Sequence, residues 1–386
     1  AIVTSGIMLR QILSKSCCAP TKRAMSSGPS IFIKRADVSK FCNECMITAG
    51  AKPDHAIALA EVLAEADHRG HFSHGLNRIE MYVRDIESNV CSRKDEPKIV
   101  KETVSTAFID GMNCLGPVVG NFSMNTAIKK AKETGIGWVV AKGSNHYGIA
   151  GWYSMMASKQ GLLGMSFTNT SPLAFPTRSK QLALGTNPLT LAAPGSKPED
   201  EFVLDMATTA VAIGKVEMNR RKGTPLPHGW AADKGGKATT DANEAMDGGL
   251  FPLGGEEITG GYKGYGLQMM VEVFCGMLSG SDYGPHVRKW MNTTKEANLG
   301  QCFVAIDPNV FAPGFPERMS TFANEMRNLQ PTDPSKPVLV PGDPERSHIK
   351  KVADGGGIPY PPVLIESMDK LADRLKVAKM PRVKEE

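Results

Sequence analysis

Residues 137–151 read Gly-Trp-Val-Val-Ala-Lys-Gly-Ser-Asn-His-Tyr-Gly-Ile-Ala-Gly, and the fold class turns on how this stretch is read. Gly137–Ala141 is a short apolar run with the look of a strand. The spacing after it predicts a helix over about 148–159. Between them lies a glycine-bounded polar turn, Gly143–Gly151, in which Ser144 and Asn145 are good helix caps. Gly148 and Gly151 allow close approach to backbone N–H groups, and free amides at a helix start bind phosphate. Pyrophosphate binding and a plain tight turn with structural glycines both fit. The spacing is not Gly-x-Gly-x-x-Gly, and no such motif follows a strand anywhere in the chain, so the usual Rossmann nucleotide fold is not indicated.

Outward from the turn, helix and strand patterns alternate. A helix is expected over about 121–134 and a strand over Leu162–Asn169; with short connections this argues for α/β packing. Residues 96–109 read as extended. Three helices precede them. The first covers 37–49, capped by Asp37 or Ser39 and stopped by Gly50; the second runs from Pro53-Asp54 to near Gly70. The third carries Ile79, Tyr82, Val83 and Ile86 at helical spacing. Residues 176–265 are rich in Gly and Pro and loop-heavy, followed by a helix over Gly264–Leu278. The last third reads as Pro-rich loops and a terminal amphipathic helix near 364–378.

The 386 residues are 41% hydrophobic and 22% charged, ordinary values for a globular chain. Six basic residues (Arg10, Lys15, Lys22, Arg23, Lys34, Arg35) and no acid fall in residues 1–36, so the remainder is close to neutral against a net charge of +5. Nothing there suggests a nucleic-acid surface. No apolar run approaches the roughly 18 residues a membrane span needs. From Met8 the text is basic, serine-rich and acid-free, which makes residues 1–30 a mitochondrial targeting segment or a disordered tail. The location expected is the mitochondrial matrix or the cytoplasm. The scattered cysteines form no secretory framework; Cys42-x-x-Cys45 lacks a second ligand pair and is not read as a metal site.

The densest polar cluster is His68-Arg-Gly-His71-Phe-Ser73-His74-Gly-Leu-Asn-Arg78. Removing hydride from a hydroxyl-bearing carbon needs a base for the hydroxyl proton, and histidine titrates nearest neutral pH. Ser73 beside His74 can relay that proton. Arg78, four residues on, falls on the same face of a helix starting near Gly75, where its guanidinium could grip a carboxylate bidentately. Two other readings stay open. His68, His71 and His74 recur every third residue and could ligate a metal, although no His-Glu-x-x-His pattern is present; or they are surface and capping residues. Gly185-Thr-Asn-Pro188 and Leu204-Asp-Met-Ala207 each end a strand-like run in a polar turn. Lys215, and Lys263 within Gly260–Gly266, are cations that suit an anionic substrate and cofactor; each alone is more often a solvated side chain.

These clusters, in this order, resemble the type-2 malate/L-lactate dehydrogenase family, which includes ketimine reductases and sulfolactate dehydrogenases. The resemblance runs from about residue 35 to 378 and is carried by Asp67–Gly75, Ser144–Gly148, Gly185–Pro188, Leu204–Ala207 and Lys263–Leu267. It implies a non-Rossmann α/β fold with a cofactor domain, residues 113–290, inserted in a substrate-side domain of residues 31–112 and 291–386. It implies His74 and Ser73 as proton donor/acceptor and relay, with Lys215 assisting, and Arg78, Thr186 and Gly214 as substrate contacts. His146, Tyr147, Gly148, Ile149 and Ala150, then Asp205, Met206 and Ala207, Lys263 and Gly264, and Pro341 and Gly342 match cofactor contacts. No metal is implied, and a homodimer is.

The expected activity is hydride transfer between NAD or NADP and a small 2-hydroxy or 2-oxo acid, malate/oxaloacetate first or a lactate-like acid. A ketimine (piperideine-2-carboxylate) reductase is the second reading. A metal-dependent hydrolase using the histidine trio is the alternative from another class, and a catalytically silent binding protein a third.

Overall fold

A computed structural model describes residues 30–289 and 295–383; the segment expected as leader or tail lies, apart from Ser30, outside them. In chain order the regular elements are β1 (Ile31–Ile33), α1 (Arg35–Ala49), α2 (Pro53–His68), α3 (Ile79–Glu87), β2 (Lys98–Glu102), β3 (Thr106–Asp110), α4 (Gly116–Thr134), β4 (Ile136–Ser144) and α5 (Gly151–Ser158). There follow β5 (Leu163–Thr168), β6 (Leu189–Ala193), β7 (Phe202–Met206), α6 (Ile213–Lys222), β8 (Ala231–Ala232), β9 (Ala238–Thr239), α7 (Ala242–Asp247) and β10 (Gly249–Leu250). The last are α8 (Gly261–Glu272), β11 (Leu299–Ile306), α9 (Phe315–Arg327), α10 (Asp343–Asp354), β12 (Ile358–Tyr360) and α11 (Pro362–Leu375).

Two bodies result. In the first, α1, α2 and α3 share an apolar core (Phe41, Met46, Leu59, Leu63, Ile79, Ile86) that is closed by Ile365, Met368 and Leu371 of α11. The short β1–β12 pair ties the start of the described chain to its last quarter. The second body is a seven-stranded mixed sheet in the order β2-β3-β4-β11-β5-β6-β7. Among the described residues β3–β4 is its one parallel pair, with α4 as the crossover. One face packs on α4 and α5 through Ile109, Met124, Ile128, Tyr153 and Phe303; the other packs on α8 and the turn after it through Phe167, Val271 and Cys302. A small sheet, β10-β8-β9, covers the 211–250 region.

The first helix ends as expected. Gly50 has φ 104° and its amide caps Ile47, with Ala51 N–H reaching Met46 O, a glycine-terminated helix end. The start differs: α1 begins at Arg35, two residues early, so Asp37 lies in the first turn and Ser39 Oγ donates to Glu61 at 2.5 Å rather than capping. The extended stretch 96–109 is a hairpin, β2–β3. Helix α4 starts at Gly116 because Pro117, which lacks an N–H, fits the first turn. The expected helix over 264–278 starts earlier, at Gly261, and its last turn is a π-helix, Val273–Met277.

The largest departure is β11. Read as part of a loop-rich tail, Leu299-Gly-Gln-Cys-Phe-Val-Ala-Ile306 is a strand paired on both sides, with β4 and β5, and buried along all but its last residue. Consequently the division drawn at 112 and 290 runs through the sheet: β2, β3 and β11 lie outside 113–290 yet pair, directly or through one another, with strands inside it. Helices α9 and α10, also missed, pack beyond β7 and are joined by Arg327, which bridges Asp200 and Asp343. Cys42 and Cys45 both sit in the helical core, where burial pushes their thiols up, Cys45 to about 12, so neither is a ready thiolate. Among the described residues no helix is long and apolar enough to cross a membrane.

Candidate active site

The cleft lies where the two bodies meet, and its chemistry begins at the end of α2. Gly70, with φ 88°, turns the chain back, and the five residues that follow form a tight loop. Asp67 anchors it: buried beside Gly75, it accepts hydrogen bonds from Leu76 N–H (2.8 Å) and Tyr360 O–H (2.7 Å). A Cβ on Gly75 would lie 1.8 Å from the Asp67 carboxylate, so only glycine fits there. Burial raises the Asp67 carboxyl to about 7, against the two donors that favour its ionised form.

The loop delivers Ser73 and His74, and the short 3₁₀ turn Leu76–Arg78 that follows delivers Arg78. Ser73 Oγ is 2.8 Å from His74 Nδ1. Arg78 Nε donates to Ser73 O at 2.7 Å, which locks the guanidinium beside the imidazole. The His74 ring stacks on His146, centroids 5.6 Å apart and planes at 17°. His146 Nδ1 faces Tyr82 Oη at 2.5 Å and accepts the Gly148 N–H at 3.3 Å. An amide can only donate, so Nδ1 carries the lone pair and the neutral ring holds its proton on Nε2. Burial first, then Arg78 and His71, lower His74 to about 4; burial, His74, Arg78 and Arg288 push His146 well below its usual value. Both rings are therefore neutral at pH 7.

The opposite wall is the turn after β4. Here the expectation of Ser144 and Asn145 as helix caps is corrected. Ser144 ends the strand and donates to Gln301, while the Asn145 amide turns inward to the carbonyls of Asn113 and Cys114. Helix α5 starts only at Gly151, whose N–H donates to Asp205 Oδ2 at 2.8 Å; the next two amides bond to Ile149 O and Ala150 O. Its first three amides are thus turned to acceptors within the protein. The turn 146–150 lies along the cleft; Gly148 has φ 79°, and a Cβ there would strike Val62.

The cleft, of about 230 Å³, brings together Ser73, His74, Arg78, His146, Tyr147, Gly148, Ile149, Ala150, Thr186, Asp205, Met206, Ala207 and Gly214. Five predicted residues do not line it. Lys215 is exposed with its Nζ 6.0 Å from the Trp230 ring, because the first turn of α6 carries it outward while Gly214 faces in. Lys263 is exposed beside Tyr262, and Gly264 is packed against Leu253 backbone. Pro341 O accepts from Val203 N–H at the edge of β7, and Gly342 starts α10. Missed from the sequence were Thr168, Thr170, Ser171, Leu173, Pro188, Ile213 and Leu299. Thr170 Oγ1 is 3.3 Å from Thr186 Oγ1, so a hydroxyl pair faces the cleft. The Asn169-Thr-Ser171 polar run after β5 was the available signal.

The histidine trio diverges: His68 faces Glu65, His71 faces Glu345 at 3.6 Å, and His74 stacks on His146. Among the described residues no group of three or more His, Cys, Asp or Glu is placed to hold a metal. The walls do suit a flat ring. Ile149, Ala150, Met206, Ala207 and Ile213 supply apolar surface, and the glycine at 148 leaves the backbone approachable.

A family model described as malate/L-lactate dehydrogenase matches residues 33–369. A malate dehydrogenase from Pyrococcus horikoshii is 40% identical over 336 residues, covering 85% of this chain and 91% of that protein. A malate/(S)-sulfolactate dehydrogenase from Methanothermus fervidus is 38% identical, covering 85% and 93%. The solved structure of the Pyrococcus horikoshii malate dehydrogenase superposes with a TM-score of 0.83 at 37% identity, over 91% of this chain and 97% of that one. Sharing its mixed α/β fold with these enzymes, the chain belongs to the malate/L-lactate dehydrogenase family and is a dehydrogenase of small hydroxy acids.

Proposed function

We propose that the cleft carries out reversible oxidation of a 2-hydroxy acid, malate first, with His74 as the base, Arg78 as the carboxylate anchor and the 146–150 turn with Asp205–Ala207 as the cofactor side. The observation that supports it most is that His74 and Arg78, joined through Ser73, share one cleft with that turn. A bound nicotinamide, of NAD or NADP, supplies the hydride acceptor or donor. The protein's part is binding, orientation and proton handling. With Arg78 Nε held by Ser73 O, a substrate carboxylate is gripped through the terminal Nη1 and Nη2 groups. His74 donates Nδ1–H to Ser73 Oγ, which leaves Nε2 as the acceptor for the C2 hydroxyl proton; in reduction the same atom returns it. Because His146 is held neutral with its proton on Nε2, proton acceptance is left to His74. Thr170 and Thr186 hydroxyls receive the polar far end of the acid.

The names of the two relatives support malate. The test is a panel of oxaloacetate, pyruvate, a sulfonated 2-oxo acid and piperideine-2-carboxylate against NADH and NADPH. Oxaloacetate is expected to give the highest kcat/KM. A cyclic imine outperforming every oxo acid moves the chain to imine reduction, and turnover of none of them contradicts the proposal. We also propose a homodimer, checked by light scattering, and for residues 1–30 a mitochondrial address or a plain tail, told apart by fusing them to a fluorescent protein.

A further inference from the structure

Glu272 ends α8, immediately before the π-helical turn Val273–Met277, an irregularity that recurs at functional sites. Its side chain points away from solvent, 4% exposed, into a fully buried polar knot. Oε1 accepts from Asn187 Nδ2 at 2.9 Å and Oε2 from Asn169 Nδ2 at 3.1 Å. Each asparagine is otherwise committed. Asn187 Oδ1 accepts Thr170 N–H (3.1 Å) and its second amide proton goes to Gln268 O (3.2 Å). Asn169 Oδ1 accepts Gly300 N–H (3.0 Å) and its second proton goes to Asp282 O (2.8 Å).

Neither amide can turn round without abandoning a backbone partner, so both present N–H to position 272. Only a group that accepts at both of its ends satisfies them. Burial pushes the Glu272 carboxyl up, against the Asn187, Asn169 and Gly284 N–H donors that favour its charged form; a carboxylate accepts at both ends, whereas an amide would set a donor against a donor. Gly276 seals the knot, since a Cβ there would meet Tyr283 at 2.7 Å and Glu272 Oε2 at 3.3 Å. The backbone bond from Thr170 to Asn187, and that of Thr208 N–H to Thr186 O, carry the knot to the cleft, where Thr168, Thr170, Ser171, Thr186, Pro188 and Leu299 form one wall.

We propose that Glu272 is a positioning residue for substrate selection: its carboxylate clamps the segments after β5 and before β6 together and so sets the Thr170–Thr186 hydroxyl pair that meets the far end of the hydroxy acid. The inference rests on the reading of that wall as substrate contact. Glu272 touches no reactant, and neither His74 nor Arg78 is in the knot, so its loss acts on substrate affinity rather than on the proton step.

The test is Glu272→Gln, assayed as the full chain beside Thr186→Val and the double variant. For Glu272→Gln, KM for the hydroxy acid rises roughly tenfold, the usual weight of a hydrogen bond to a charged group. Its kcat, and the NADH affinity read by nucleotide fluorescence, stay near those of the parent chain. The double variant is no worse than the poorer single, because both act through one wall. An unchanged KM in Glu272→Gln, or effects that multiply in the double variant, overturns the proposal. If Thr186→Val alone leaves KM unchanged, the reading of the wall fails separately; the clamp is then judged by a crystal structure of Glu272→Gln. There the Thr170 and Thr186 hydroxyls are expected to separate beyond 3.3 Å, and an unmoved pair overturns it. Should Glu272→Gln not fold, Glu272→Asp, charged but one methylene short, is expected to shift KM in the same direction, and an unshifted KM overturns the proposal.

Discussion

His74 lies in a setting that disfavours its own charge: burial, with Arg78 and His71 nearby, lowers it to about 4. For a base that must be neutral to accept a proton this is a working advantage at pH 7. In the oxidation direction kcat/KM is expected to stay level through neutrality and fall as pH drops through about 4, measured as a pH profile. The sign for stability is the same. Unfolded, the ring takes up a proton below its ordinary 6.5, whereas folded it does so only near 4, so His74 contributes stability above 6.5 that is lost on acidification through that interval. His74→Ala should lower turnover by roughly 10²–10⁴-fold while NADH affinity persists. Arg78→Lys keeps the charge but loses both the planar fork and the Nε bond to Ser73 O. Its expected result is a raised substrate KM, with a smaller change in kcat because His74 and Ser73 keep their bond. The residues that carry these predictions were legible in the sequence because a base, a hydroxyl and a guanidinium stand within six positions. Thr170, Ser171 and Glu272 were not, since their importance comes from contacts made across 16 to 117 positions of chain.

At the scale of elements, the turn between β4 and α5 decides what the cleft can hold. Its register is set by Gly148, whose Cβ would come 2.3 Å from Val62 Cγ1 on α2, and whose φ of 79° suits glycine. Gly148→Ala is expected to cost about 1–3 kcal/mol of stability and to weaken NADH binding, as read by thermal unfolding and fluorescence titration. Retained stability with unchanged NADH affinity would show that the turn is not part of the cofactor side. The same turn shows where sequence signals stopped. Serine and asparagine before a helix are the usual caps, yet Ser144 and Asn145 were claimed by Gln301, Asn113 and Cys114, and Asp205 from β7 took the Gly151 amide. A long-range partner outbid the local motif, which no local pattern reveals. Lys215 lies outside the cleft for a related reason: a cation one residue from a cleft-lining glycine points outward once the helix beneath it is phased.

On the whole-molecule scale, residues 31–91 and 352–380 make one body, and everything catalytic hangs on their junction with the sheet. Tyr360 of β12 reaches Asp67, which holds Leu76 and with it the His74 loop. A chain ending at residue 357 loses that bond and the buried face of α11, Ile365, Met368, Leu371, Ala372 and Leu375. At about 1.5–3 kcal/mol for a large apolar side chain the loss is comparable to the whole stability of a typical domain. The shortened chain is therefore expected to show no cooperative melting and no turnover; a soluble, active product would refute the coupling. The α/β character and the first three helices were readable from periodicity, whereas β11 was not. All but the last of its eight residues are buried and show no alternation, and it enters the sheet between β4 and β5 after a gap of 130 residues from the end of β5, its nearer partner in sequence.

The proposed activity needs one arrangement, a substrate held at once by Arg78 and His74 beside the 146–150 turn. It is tested most directly by a crystal structure with reduced nicotinamide nucleotide and an unreactive 2-oxo acid analogue. The expected result is the analogue's carboxylate on the Arg78 guanidinium and its 2-oxo oxygen within hydrogen-bond distance of His74 Nε2. An analogue bound with its carboxylate away from Arg78, or with His74 separated from it by packed side chains, would contradict the account.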